Sequence, residues 1–375
     1  MHGAQAIEPA AVEYFDSVEV SLLTCQPHDE VYSLYGHTAL RWHDLHPGGI
    51  DAAFNYGVFD YNKPFFVARF VFGLTDYELG AFPYRLFKAE YRHFGSMVTE
   101  QVLNLTAQEK AVLQEALRVN LMPGNTVYRY NYFYNNCTTK ARDIIEQCIN
   151  GRVEYAERQM ETNTYRETVH RMTQRNPWSR FGNDLLLGLK ADWKTTMREQ
   201  EFLPNNLMAD FDRARIVTDG MSRPLVKERR VGVPAGVQMV SESFPLTPAH
   251  CAILLAMAGV VILLMEWRKG RTFLWWDITL MTATAAIGIV LTLMLFSQHP
   301  TVSVNLLYTL FNPLPLCCLW SVARRRPTRY WKVTLWLGLL FVAAGFVQHF
   351  PPEIYALASC LLIQSCMNIR LKAGK

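Results

Sequence analysis

The chain has 375 residues, a formal net charge of +4 and 50% apolar residues. Its 37 basic and 33 acidic side chains form no basic face, and there is no Gly-rich phosphate loop, paired-cysteine metal pattern or internal repeat. These absences argue against a nucleic-acid partner, a bound metal or a nucleotide cofactor. Of the eight cysteines only Cys25, Cys137 and Cys148 lie in the polar first part, so that part is not a disulfide scaffold.

In chain order, Val18–Leu23 alternates as a strand. Ser33–Trp42 reads as a second strand and contains Tyr35-Gly36-His37-Thr38-Ala39-Leu40-Arg41, where Gly36 thins the strand for a close approach. Ala53–Tyr61 reads as a third strand, Leu74–Tyr91 as a helix and Met97–Leu105 as a strand. Thr106-Ala107-Gln108-Glu109 is a capping box that opens a helix running to about Leu121. Tyr128–Tyr134 reads as a strand leading into Cys137. Beyond it Ala141, Ile144, Ile145, Cys148 and Ile149 repeat at helical spacing, with Asn135 or Asn136 as the cap. Strands clustered around irregularly placed helices give an α+β domain over residues 1–240. Near its end, Trp178–Ala209 carries apolar patches at Leu185-Leu186-Leu187 and Phe202-Leu203-Pro204. Both a segment lying on a bilayer and an ordinary packed helix pair fit that pattern.

Residues 241–375 are strongly apolar. Five runs, Thr247–Met265, Phe273–Phe296, Val302–Val322, Trp331–Val347 and Ile354–Ile369, approach the roughly 20 residues that span a bilayer as a helix. Basic loops follow the first run (Arg268, Lys269, Arg271), the third (Arg324, Arg325, Arg326, Arg329, Lys332) and the fifth (Arg370, Lys372, Lys375); the loops 297–300 and 348–353 hold no Lys or Arg. The positive-inside rule then expects a cytoplasmic C-terminus and a first domain on the opposite side. Export needs a signal that Met1-His2-Gly3-Ala4-Gln5-Ala6 does not carry, so a removed signal peptide is expected. Five helices exceed what an anchor requires. Asp277, Asn305, Asn312, Pro313 and Pro315 interrupt the apolar runs and point either to a cavity or to simple kinks.

Cys137 carries the chemistry. At a helix start the macrodipole and the orphan N–H groups favour a thiolate and can hold an oxyanion. Such a nucleophile needs a base. Among His2, His28, His37, His43, His46, His93 and His170, the strand residue His37 is the best partner, because a rigid sheet sets its distance. A satisfied core histidine is the competing reading. Asn55 on the next strand, or Asp60, is the candidate to hold the imidazole. Tyr35, Arg41, Asn136 and Thr138 are candidate substrate contacts, with packing, a surface ion pair and helix capping as their ordinary alternatives. Phe65, Phe66, Phe70 and Phe72 suit either acyl chains or a core. Cys25 and Cys148 read as structural.

The order Gly-His-Thr-Ala-Leu-Arg, Asn55-Tyr56-Gly57, then Asn-Cys-Thr-Thr opening a helix resembles the permuted papain-like (NlpC/P60-like) thiol enzymes. With Phe202-Leu203-Pro204 and the helical tail, nearly the whole chain resembles the Lnb-type bacterial lipoprotein N-acyltransferases, whose periplasmic domain precedes a helical membrane half. The resemblance implies a permuted papain-like α+β domain followed by about five transmembrane helices, in the bacterial inner membrane with the catalytic domain periplasmic. It implies Cys137 as nucleophile and His37 as base. It also implies a phospholipid acyl donor, a diacylated lipoprotein acceptor acylated on its N-terminal amine, and no cofactor. A membrane-tethered cysteine hydrolase acting on peptidoglycan or lipid uses the same dyad, and a non-catalytic sensor or scaffold remains a third alternative.

Overall fold

The computed structural model describes residues 9–29, 33–60, 62–238 and 244–373. The start Met1–Ala6, Tyr61, the expected boundary at 240 and Lys375 lie outside the described residues. The chain forms two compact units, Met1–Glu161 with Thr195–Ser241, and Thr162–Lys194 with Glu242–Lys375. The sequence draws a single boundary at 240, whereas the contacts give residues 162–194 to the second unit.

In the first unit α1 (Pro9–Asp16), β1 (Val18–Cys25), β2 (His37–Asp44) and β3 (Asp51–Val58) are followed by α2 (Phe66–Val71), β4 (Asp76–Pro83) and α3 (Tyr84–His93). Next come β5 (Val98–Leu103), α4 (Ala107–Asn120), β6 (Val127–Arg129), α5 (Cys137–Cys148) and β7 (Arg152–Glu154). In the second unit α6 (Tyr165–Met172) and α7 (Pro177–Leu186) follow; then the chain resumes the first with α8 (Met197–Gln200), α9 (Pro204–Arg213), β8 (Arg215–Thr218), β9 (Met221–Pro224) and β10 (Val226–Val233). Seven antiparallel strands run in the order β10-β5-β1-β2-β3-β4-β6, and β7-β8-β9 form a second small sheet.

The sheet's two faces are buried differently, as a period of two requires. Leu22, Leu40, Trp42 and Leu103 pack under α4, α5 and α9 through Leu113, Leu117, Ile145, Leu207 and Phe211. Leu23, Ala39, Ala53 and Val98 face α3 through Tyr84, Phe87 and Tyr91. The Thr106–Glu109 capping box opens α4 as its sequence expects. Cys25 and Cys148 are buried packing residues.

Three expectations change. Residues 76–83 are a strand rather than the start of a helix: Tyr77 and Leu79 alternate with more exposed neighbours, and the helix waits for Pro83, whose fixed φ opens α3. The second strand begins at His37, not Ser33, because Gly36 takes φ +78° in a turn closed by its N–H to Ser33 O (2.9 Å). A Cβ there would sit 2.6 Å from Cys25 O. The approach to Cys137 is not a strand to Tyr134: β6 ends at Arg129, and a reciprocal bridge between Asn131 and Asn135 forms a tight turn.

The second unit contains α10 (Pro248–Lys269), α11 (Leu274–Met294), α12 (Leu314–Ala323), α13 (Tyr330–Ala344) and α14 (Pro352–Ala373). Four stretches are long and apolar enough to cross a membrane: Pro248–Lys269, Leu274–Met294, Leu306–Ala323 and Pro352–Leu371; Tyr330–Ala344 is a shorter apolar helix. The third is broken. A 3₁₀ turn at Leu306–Thr309 precedes Asn312, whose Oδ1 accepts the Leu314 N–H at 3.1 Å, and Pro313 and Pro315 start α12. Gly288 makes room for this break, since a Cβ would lie 2.3 Å from the Asn312 carbonyl carbon. Asn305 and Asn312 line a cavity of about 500 Å³ with Leu295, Tyr308, Leu314 and Leu337. Asp277 does not; its Oδ1 accepts from Gln364 and Asn368, both at 2.8 Å.

Residues 162–194 join this unit for a polar reason. Buried Arg166 pairs with Asp184 (2.9 Å) and Asp192 (2.7 Å) and donates to Leu187 O (2.9 Å). Gly188 and Leu189 donate to Thr301 O and Val304 O at 2.8 and 2.7 Å. Of the Trp178–Ala209 stretch, α7 therefore packs in the second unit, and α9 buries Leu207 and Phe211 in the first.

Candidate active site

The site sits where β2 begins and α5 begins. Asn136 is the N-cap of α5: its Oδ1 accepts the N–H groups of Thr138 and Thr139, both at 3.0 Å, and its Nδ2 donates to Phe202 O (2.9 Å) and Tyr132 O (3.1 Å). The cap takes the second and third amides of the helix and leaves that of Cys137, the first, for another acceptor. The Phe202-Leu203-Pro204 stretch is thus not a surface patch. Phe202 is buried, presents its carbonyl to the cap and packs edge-on against Phe133 at 5.0 Å. Arg142 on α5 holds the neighbouring Glu201 at 3.0 Å.

His37 is the first residue of β2 and lines the same cavity as Cys137, near enough for the charge of each to act on the other. Its Nε2 lies 2.8 Å from Asn55 Oδ1, and that same oxygen accepts the Gly57 N–H at 2.7 Å. A backbone N–H can only donate, so the Asn55 atom is an oxygen and Nε2 carries the proton. Nδ1 is therefore the ring nitrogen free to take the thiol's proton. Gly57 lies under the imidazole: a Cβ there would be 2.6 Å from His37 Cε1. The Asn55-Tyr56-Gly57 pattern is an acceptor followed, one pleat on, by the gap the ring needs. Asp60 is elsewhere, accepting the Asn62 N–H at 2.8 Å in a turn.

The residues after the pair clasp one another. Thr38 Oγ1 and Thr138 Oγ1, both buried, are 3.1 Å apart and tie β2 to α5; Thr138 Oγ1 is also 3.8 Å from Cys137 Sγ. Burial pushes the Cys137 thiol up. The charge of His37, its hydrogen bond, the Thr38 N–H and the Thr138 hydroxyl outweigh that and hold the thiol below its ordinary range. Burial depresses His37, but the Cys137 charge and hydrogen bond and the Asn55 oxygen raise it above its ordinary value. Both directions favour a thiolate–imidazolium pair. Cys25 and Cys148 go the other way, burial pushing Cys148 up to about 11.

A cavity of about 330 Å³ opens over the pair. Tyr35, Asn136, Thr138, Phe202, Tyr77 and Tyr130 are in its wall. Of the expected contacts Arg41 is absent. It stays on the His37 face but four residues further along, about 13 Å at strand rise, locked between Asp51 (2.7 Å) and Glu100 (3.0 Å) with Tyr84's ring at 3.8 Å. Phe66 and Phe70 stack 6.4 Å apart beside this wall, Phe66 on Phe59 and Phe70 near Tyr130, while Phe65 is exposed. The sequence missed Gly57, the two-threonine clasp, the Phe202 carbonyl and Glu90, which also lines the cavity. Only the paired His-Thr and Cys-Thr doublets and the Asn-x-Gly spacing hinted at the first two. Among the described residues no group of three His, Cys, Asp or Glu is arranged to hold a metal ion.

A family model described as the Lnb N-terminal periplasmic domain matches residues 13–171, and one described as the Lnb transmembrane domain matches residues 240–375. No curated protein and no solved structure matches the chain.

Proposed function

The chain belongs to the Lnb family of lipoprotein-modifying membrane enzymes, and from that premise we propose that it moves a fatty acyl chain from a phospholipid to the N-terminal amine of a diacylated lipoprotein by way of a thioester on Cys137. The observation that carries this is the Cys137–His37–Asn55 arrangement, with the thiol held low and Nε2 committed to Asn55 so that Nδ1 is the free nitrogen. The arrangement of thiol, imidazole and amide is papain-like in its roles.

In the first half-reaction the thiolate attacks a glycerol ester carbonyl. The Cys137 N–H at the positive end of α5 stabilises the oxyanion. The His37 imidazolium gives its proton to the leaving glycerol oxygen, so lysophospholipid departs and the thioester remains. In the second half-reaction the amine attacks the thioester carbonyl, His37 accepts a proton from nitrogen, and sulfur leaves. The membrane unit holds lipid chains, and its apolar cavity of about 500 Å³ supports that role. Arg268, Lys269 and Arg271 after α10, and Arg324 to Arg326 after α12, support a cytoplasmic C-terminus in the inner membrane, with the catalytic unit periplasmic.

Intact-protein mass spectrometry after incubation with phospholipid tests the reading. An acyl adduct on Cys137 is expected, absent in Cys137→Ala and slowed in His37→Ala. An adduct that survives Cys137→Ala overturns the assignment. Free fatty acid without N-acylated lipopeptide points instead to a hydrolase, with water as the second nucleophile.

A further inference from the structure

Glu90 supplies the one carboxylate in the wall of the cavity over Cys137 among its described lining residues, and no Lys or Arg shares that wall. It lies in the last turn of α3, where the helix macrodipole is negative and adds to its charge. Among the described residues its side chain makes no ion pair or hydrogen bond, and it is exposed. Tyr35, Tyr91 and Tyr132 line the same cavity. A solvated carboxylate with no Lys or Arg beside it, in a cavity lined by tyrosines, is the chemistry that recognises an ammonium ion. Its charge also reaches His37.

We propose that Glu90 is the recognition group for a primary ammonium entering the catalytic cavity, and that this ammonium is the α-amino group of the acceptor. The inference rests on the acyl-transfer reading. Glu90 draws the ammonium in, and one proton leaves the nitrogen to water at the exposed carboxylate. The lone pair forms the C–N bond at the thioester carbon, and the second N–H proton passes to His37. The C–S bond then breaks with sulfur leaving as thiolate, which restores the original ion pair. Glu90 touches the substrate without taking part in bond making.

The test uses the full chain in detergent micelles with phospholipid as donor. Glu90→Gln and Glu90→Asp are compared with the wild type in capture of the Cys137 acyl group by a synthetic diacylated lipopeptide and by hydroxylamine, which is uncharged at neutral pH. Glu90→Gln is expected to raise the lipopeptide KM about five- to tenfold. Its capture by lipopeptide should fall by that factor more than capture by hydroxylamine, with Glu90→Asp recovering part of the loss. A parallel arm forms the adduct from phosphatidylethanolamine or from phosphatidylglycerol. A defect confined to phosphatidylethanolamine keeps the ammonium site but overturns its assignment to the acceptor, moving it to the donor head group. Equal losses with lipopeptide and hydroxylamine, and with both donors, overturn the proposal while leaving the thioester chemistry standing. A wild type that forms no Cys137 adduct overturns both.

Discussion

Replacing Gly57 by alanine is the sharpest probe of the site, because it adds one carbon and removes no functional group. That carbon would lie 2.6 Å from His37 Cε1, 3.0 Å from Asn55 Oδ1 and 3.4 Å from His37 Nδ1, where ordinary contact begins at 3.4 Å. The ring must therefore move by about 0.8 Å, the difference between 3.4 and 2.6 Å. It cannot move freely, since Nε2 is held at 2.8 Å by Asn55. Overpacking of this kind costs ~1–3 kcal/mol of stability. A misplacement approaching 1 Å at a reacting pair costs on the order of 100-fold in rate. Gly57 has no positive φ, so the effect comes from space alone. The assay is single-turnover formation of the Cys137 acyl adduct, with iodoacetamide alkylation against pH as a measure of thiolate and a thermal melt to confirm folding. Gly57→Ala is expected to melt as a folded protein, alkylate with an upshifted midpoint and acylate about 100-fold more slowly. Wild-type acylation with an unchanged alkylation profile would refute the role given to the imidazole position.

Further consequences follow from the same contacts. Alkylation of Cys137 should rise with pH about a midpoint below the ~8.5 of free cysteine; His37→Ala should move that midpoint upward, because burial then acts without its counter-charge. Asn136→Ala should destabilise the first unit by about 2–3 kcal/mol, losing the cap and two hydrogen bonds to backbone carbonyls, seen as a lower melting temperature and faster amide exchange in the first turn of α5. Arg166→Ala takes the guanidinium from buried Asp184, leaving it only His170, and from half-buried Asp192, and should cost about 3 kcal/mol; limited proteolysis should then cut within residues 162–194, which the wild type resists.

The sequence by itself determined the chemistry-bearing ends of two elements and the character of both halves. Capping and periodicity are local, so Cys137 at a helix start, the Thr106–Glu109 box and the apolar spans could be read from neighbours a few residues apart. Alternation along β2 likewise put His37 and Arg41 on one face. Local signals cannot say what lies across from a residue. Only the tertiary structure decided that Asn55 rather than Asp60 meets the imidazole, because that depends on how β3 lies beside His37 and on the N–H of Gly57. It also decided that Arg41 is consumed by Asp51 and Glu100, one from the neighbouring strand β3 and one from β5 across the sheet. The 76–83 segment was misread because Tyr77 and Leu79 give too few buried positions to separate a period of two from one of 3.6. The assignment of 162–194 to the membrane unit rests on Arg166 finding two aspartates and Gly188 finding Thr301. Those pairings span from about 20 to more than 100 residues, and hydrogen-bond partners at that separation are selected by packing, which no sequence window contains.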